Sequence, residues 1–85
     1  MRKLRFAAPV WEDYLTLQRA EPALSARLDQ LLDACCRTPY DGIGRPCALA
    51  SPLNGWWSRR LTHRHRLVYR VVGDQIWVAQ CLSKV

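Results

Sequence analysis

The chain has 85 residues, 49% of them hydrophobic and 24% charged, and 13 Lys/Arg against 7 Asp/Glu give it a formal net charge of +6. That length supports one domain around one core, burying about 60–65% of the unfolded surface, and the composition excludes a disordered chain. Apolar runs of only a few residues exclude a membrane span, and Glu12 and Asp13 interrupt the basic N-terminus before a leader-like apolar stretch can form.

In chain order, apolar Leu4 and Phe6 alternate with basic neighbours, which predicts a short strand over residues 2–7. Pro9 suits the first turn of a helix running to about Arg19. In it Trp11, Tyr14, Leu15 and Gln18 follow helical spacing, and Glu12 and Asp13 are expected in the first turn, where the helix dipole favours them. Pro22 restarts the pattern, and Leu24, Leu28, Leu31, Leu32 and Cys35 make an apolar stripe ending near Arg37, before Pro39. Two such helices with a tight link read as a helical hairpin whose apolar faces need a sheet to cover.

Residues 38–48, rich in Pro and Gly, read as a loop, with a short strand near Ala48 to Ser51 and a turn at Asn54-Gly55. From Trp57 to Thr62, Trp57, Arg59 and Leu61 alternate with Ser58, Arg60 and Thr62. From His65 to Val72, Leu67, Tyr69 and Val71 alternate with Arg66, Val68 and Arg70. After Gly73-Asp74, the mostly apolar run Gln75–Leu82 is expected at the sheet centre. The expected fold class is α+β, a helical hairpin on a small antiparallel sheet in the order β-α-α-β-β-β-β, with residues 1–85 one domain.

Charge divides this chain in two. Residues 1–41 carry six basic and six acidic side chains, whereas from Gly42 onward Arg45, Arg59, Arg60, Arg64, Arg66, Arg70 and Lys84 face Asp74 alone. A balanced half followed by a basic half bearing Trp56 and Trp57 suggests a scaffold presenting a surface to a polyanion. Cys35, Cys36, Cys47 and Cys81 form no C-x-x-C pair, and a zinc site would need His63 and His65 to join them in an improbable assembly. Reduced cysteines in a cytoplasmic protein, with no metal, are the plainer reading.

Several motifs together resemble the YoeB/Txe branch of the RelE-like toxins of bacterial type II toxin–antitoxin systems. They are Trp11-Glu12-Asp13-Tyr14-Leu15, Arg37-Thr38-Pro39-Tyr40, Gly42-x-Gly44-Arg45-Pro46, Leu53-Asn54-Gly55-Trp56-Trp57-Ser58-Arg59-Arg60, His65-Arg66-Leu67-Val68-Tyr69 and Cys81. The resemblance covers nearly the whole chain. It implies the small α+β fold of those toxins and a ribosome-dependent endoribonuclease acting on mRNA by attack of the ribose 2′-OH, without cofactor. It further implies a homodimer, neutralisation by a cognate YefM/Phd-like antitoxin, and a cytoplasmic location without membrane contact.

Such chemistry needs a base for the 2′-OH proton, an acid for the leaving 5′-oxygen and cations for the dianionic phosphorane. In the family pattern the base is a glutamate just after the glycine loop, the charge stabiliser is the arginine of H-R-L-V-Y, and the acid is a histidine before a C-terminal tyrosine. Here the arginine is Arg66, but the glutamate position is Cys47, the terminal pair is Lys84-Val85, and a lysine found after the loop in some members is Ala50. Losing a positioned acid or base costs ~10²- to 10⁴-fold each. Three readings follow: cleavage with substitutes, Lys84 as acid or charge stabiliser and His63 or His65 as base; a degenerate toxin that binds antitoxin or RNA without cutting; or a Cys47 with chemistry of its own, favoured by Arg45.

The candidate catalytic residues are therefore Arg66, Cys47, Lys84 and His65, and the candidate RNA-binding residues Arg45, Arg59, Arg60, Arg70 and Trp56. Basic strand faces are usually solvated, but the motif context favours a phosphate clamp at Arg66 with Arg60 as a second contact. His65 is more often a structural hydrogen-bonding partner than a base, and of Trp56 and Trp57 at least one belongs to the core or an interface rather than to a stacked base. Trp11, Tyr14 and Trp77 read as packing residues, and Cys81 as a small buried one.

Overall fold

Proline fixes where both helices begin. Pro9 lies in the first turn of α1 (Ala8–Ala20) and Pro22 opens α2 (Pro22–Arg37), so each missing N–H falls among amides that have no intrahelical partner. The structure, a computed structural model, describes residues 1–83. Because α1 starts at Ala8, Glu12 and Asp13 fall beyond its first turn, a correction to their expected place. Its buried face is Val10 and Leu17, one position away from the expected stripe. Trp11 is 43% exposed, stacked on Tyr14 at 5.3 Å and edge-on to Phe6 at 5.4 Å.

The α2 stripe is as the spacing predicts. Leu28, Leu31, Leu32 and Cys35 are buried and Leu24 packs against them. Each such side chain contributes about 1.5–3 kcal/mol by leaving water. Only Glu21 separates the helices, and Tyr14 Oη donates across the hairpin to Asp29 at 2.7 Å.

The sheet contains β1 (Lys3–Phe6), β2 (Cys47–Ala48), β3 (Trp56–Arg60), β4 (Arg66–Val72) and β5 (Gln75–Gln80), in the spatial order β1-β5-β4-β3-β2. β2 to β5 pair antiparallel, as expected. β1 instead joins β5 in parallel, which makes the sheet mixed. The long passage through the helical hairpin supplies the crossover that parallel pairing requires and a tight turn cannot. β5 is an interior strand, but β4 holds the centre.

One face of the sheet supplies Leu67, Tyr69, Ile76 and Val78 to the core formed with α1 and α2. The side chains of the other face are exposed or half-buried, apart from Ser58. Among the described residues no helix is long and apolar enough to cross a membrane.

Candidate nucleic-acid interface

Strand alternation and register sort the basic residues onto two faces. Arg60 pairs with Arg66, Ser58 with Val68 and Trp56 with Arg70 across β3 and β4, so these six side chains share the outer face, away from the helices. Cys47 pairs with Ser58 and therefore lies in the row next to Arg60 and Arg66. Further along, Trp77 continues the Trp56–Arg70 row and Arg5 completes it. Arg60, Arg66, Arg70 and Cys47 are all exposed. Among the described residues no acidic side chain occupies this face: β1 and β5 add Lys3, Arg5, Gln75, Trp77 and Gln80 to it.

Two exposed guanidiniums opposite each other repel one another, so the pair favours an anion between them. A phosphate meets that requirement with planar, bidentate donors. Arg45 is exposed in the loop before β2 and holds a left-handed φ of 54°, between Gly44 and Pro46. Gly44 itself has φ +82°, and an added Cβ would lie 2.7 Å from Leu31 Cδ2; its carbonyl accepts from Arg60 N–H at 2.6 Å. The glycine thus lets the loop press against α2 and β3 at once.

Arg59 departs from its expected role as an RNA contact. It alternates with Arg60 and so points inward, where it is 0% exposed. Its Nε donates to Tyr69 Oη at 3.1 Å, Nη1 to Ile43 O at 2.9 Å, and Nη2 to the carbonyls of Asp41, at 2.8 Å, and Thr38. Tyr69 Oη in turn donates to Pro39 O at 2.6 Å. One buried fork of donors therefore ties the 38–43 loop to the sheet, and no carboxylate among the described residues pairs with it. The physical reason is satisfaction: a buried guanidinium is tolerable when carbonyl dipoles take up its N–H groups. Burial pushes the Tyr69 phenol up to about 12, against the opposing pull of Arg59. It likewise pushes the Cys35 thiol up to about 11.

His65 accepts the Ser83 N–H at Nδ1, 3.1 Å away, while Ser83 Oγ accepts from Arg66 N–H at 3.1 Å and from Gln80 Nε2 at 3.1 Å. The imidazole thus holds the chain after β5 beside the start of β4, and the lone pair at Nδ1 is engaged. His63 is exposed in the turn between β3 and β4. Trp56 is half-buried on the outer face under Arg70, whose guanidinium carbon lies 5.8 Å from the ring, whereas Trp57 faces inward and packs on Tyr40 at 4.9 Å. Lys84 lies outside the described residues. The described cysteines are free, and among the described residues no three His, Cys, Asp or Glu side chains cluster as metal ligands would.

The outer face thus brings together Arg60, Arg66 and Cys47 in adjacent rows, with Arg70 and Trp56 beyond them; of the other predicted residues Arg59 points into the core, Arg45 sits in the loop before β2, and His65 in the turn before β4. A family model described as the YoeB-like toxin of bacterial type II toxin–antitoxin systems matches residues 6–84. Toxin YoeB of Escherichia coli strain K12 is 39% identical over 79 residues, 93% of this chain and 94% of that protein. The heterotetrameric YoeB–YefM toxin–antitoxin complex of Staphylococcus aureus contains a chain 34% identical, with a TM-score of 0.92 over 100% of this chain and 99% of that one. The YoeB dimer from the same organism is 34% identical with a TM-score of 0.89, covering 99% of this chain and 98% of that one.

Proposed function

The chain belongs to the YoeB-like toxins of bacterial type II toxin–antitoxin systems, and on that premise we propose that it is an endoribonuclease that cuts mRNA on the ribosome. The observation that carries the reading is the Arg60–Arg66 pair on an exposed, acid-free sheet face, one row from position 47. In the proposed reaction the ribose 2′-oxygen loses its proton and bonds to phosphorus, and the bond to the 5′-oxygen breaks. The products are a 2′,3′-cyclic phosphate and a 5′-hydroxyl. The two guanidiniums stabilise the charge on the phosphorane. The Arg59 fork supports the site from beneath by fixing the loop that leads into Cys47.

Proton transfer is the weak part of the site. A thiol stands where the family pattern has a carboxylate, and Nδ1 of His65 is already engaged, so turnover rests on charge stabilisation and on whatever Cys47 or Lys84 supplies. That observation favours a second reading, a homologue that holds RNA or antitoxin without cutting. By analogy with the Staphylococcus aureus assemblies, we propose pairing with a YefM-like antitoxin and a homodimer.

Primer extension on a translated message, with purified ribosomes, separates the two. New 5′ ends that disappear in Arg66→Gln support cleavage. Their absence, at concentrations where a glutamate-bearing relative cuts, leaves the binding module.

A further inference from the structure

Three of the four tryptophans lie outside the hydrophobic core: Trp11 stacks on Tyr14 at the helical hairpin, and the other two share the sheet. Trp56 and Trp77 sit on the outer face, in one row that crosses four strands as Arg5–Trp77–Arg70–Trp56. Cation and indole alternate along the row. Arg5 lies over Trp77 at 5.1 Å and Arg70 over Trp56 at 5.8 Å. The arrangement is held from below and beside. Trp77 Nε1 donates to Gln75 Oε1 at 2.8 Å, which fixes the indole, and Gly55, at φ +90°, leaves the space in which the Arg70 guanidinium rests, 3.3 Å from where a Cβ would stand. A cavity of about 430 Å³ opens along the row, lined by Arg5, Trp56, Trp77 and the backbone turn at Ala7 and Ala8.

Resting on the reading of this face as an RNA site, we infer that the row is a base-stacking ledge for single-stranded RNA, extending the Arg60–Arg66 phosphate site along β4. The flat guanidinium and indole surfaces suit the π-faces of bases, while the guanidinium edges remain free for phosphates. The distance fits as well. Two rows of an extended strand separate Arg66 from Arg70, about 13–14 Å at ~3.4 Å per residue, which a stacked strand spans in about four nucleotides and an extended one in fewer. An acidic peptide would pair with the arginines but bring no planar group to stack on the guanidinium and indole surfaces, so the alternation favours a nucleic acid. The ledge gives the isolated protein an affinity for single strands that does not depend on the ribosome.

The test is titration of the purified protein with labelled oligo(A) RNA, followed by anisotropy and by quenching of tryptophan fluorescence. Binding with quenching is expected, weakened ~5-fold or more by Trp56→Leu or Trp77→Leu and by Arg70→Gln, with far-UV circular dichroism unchanged. Equal affinity for single-stranded and duplex RNA, indifferent to both tryptophan substitutions, overturns the ledge and leaves general charge attraction. Displacement of the RNA by polyglutamate at equal charge concentration, with the tryptophan substitutions again without effect, overturns it in favour of an acidic peptide. The nuclease reading fails separately: quenching by oligo(A) in a protein that never cuts a translated message sustains the ledge, and ribosome-dependent cuts without quenching remove it.

Discussion

Replacing Arg59 with methionine keeps most of the side chain's volume and removes its five donors. Four hydrogen bonds go with them, to Tyr69 Oη and to the carbonyls of Thr38, Asp41 and Ile43. Bonds from a charged donor are worth about 1.5–3 kcal/mol each, so the gross loss is roughly 6–12 kcal/mol. Against that stands the relief of no longer desolvating a guanidinium, several kcal/mol, and the 38–43 loop can re-expose its carbonyls to water. A net loss of about 3–5 kcal/mol follows, a large share of the roughly 5–15 kcal/mol that holds a domain together. Arg59→Lys should be no better than methionine, because a single ammonium cannot reach acceptors spread over both arms of the fork while its charge stays buried. Urea unfolding followed by circular dichroism reads the loss as a lower midpoint at constant slope. If both variants unfold within about 1 kcal/mol of the parent and instead lose only RNA binding, Arg59 is a surface contact and the clamp does not exist.

Other outcomes follow from the same geometry. Gly44→Ala should cost about 2–4 kcal/mol, from its left-handed φ and the 2.7 Å approach to Leu31, whereas Gly73→Ala, with φ +60° and open space around it, should cost about 1 kcal/mol; thermal unfolding compares the pair. Above about pH 9 the protein should weaken. Cys35 and Tyr69 are held neutral in the fold up to about 11 and 12, while the unfolded chain releases those protons from 9.0 and 10.0, so it binds fewer protons and stability falls, by about 4 kcal/mol at pH 11 in urea titrations. Cys47→Glu, alone or with Lys84→His and Val85→Tyr, should raise ribosome-dependent cleavage ~10²-fold or more by primer extension; an unchanged rate would mean that position 47 does not face the reacting ribose.

The order of elements was legible because each carries its own local signal. The Leu24–Cys35 stripe has helical spacing, Asn54-Gly55 closes a turn and the alternation from Arg66 to Val72 marks a half-buried strand. The parallel pairing of β1 was not legible, since nothing in residues 3–6 specifies which edge they join or in which direction. On α1 the aromatic residues outweighed Val10 and Leu17, and the helix settled one position away because Trp11 and Tyr14 stack on each other beside Phe6. Arg59 is the instructive case. Its charge suggested a ligand contact, yet the alternation already grouped it with Trp57 and Leu61 on the face that Leu67 and Tyr69 occupy. That grouping was the available sign that position 59 lies inside. The Arg–Trp row could not be read from the chain alone, because it exists only through the register of four strands.

The pairing of β1 with β5 also bears on how the molecule comes into being. Leu4 meets Ile76, a partner roughly 70 residues later in the chain, and contacts between such distant stretches make folding slow. During synthesis the opening strand therefore waits, its backbone unpaired, through the making of both helices and three further strands. Until β5 emerges, the row from Arg5 to Trp56 lacks its second indole and its first guanidinium has nowhere to rest. On the proposed reading, a nascent copy cannot grip RNA along this ledge until β5 has been translated.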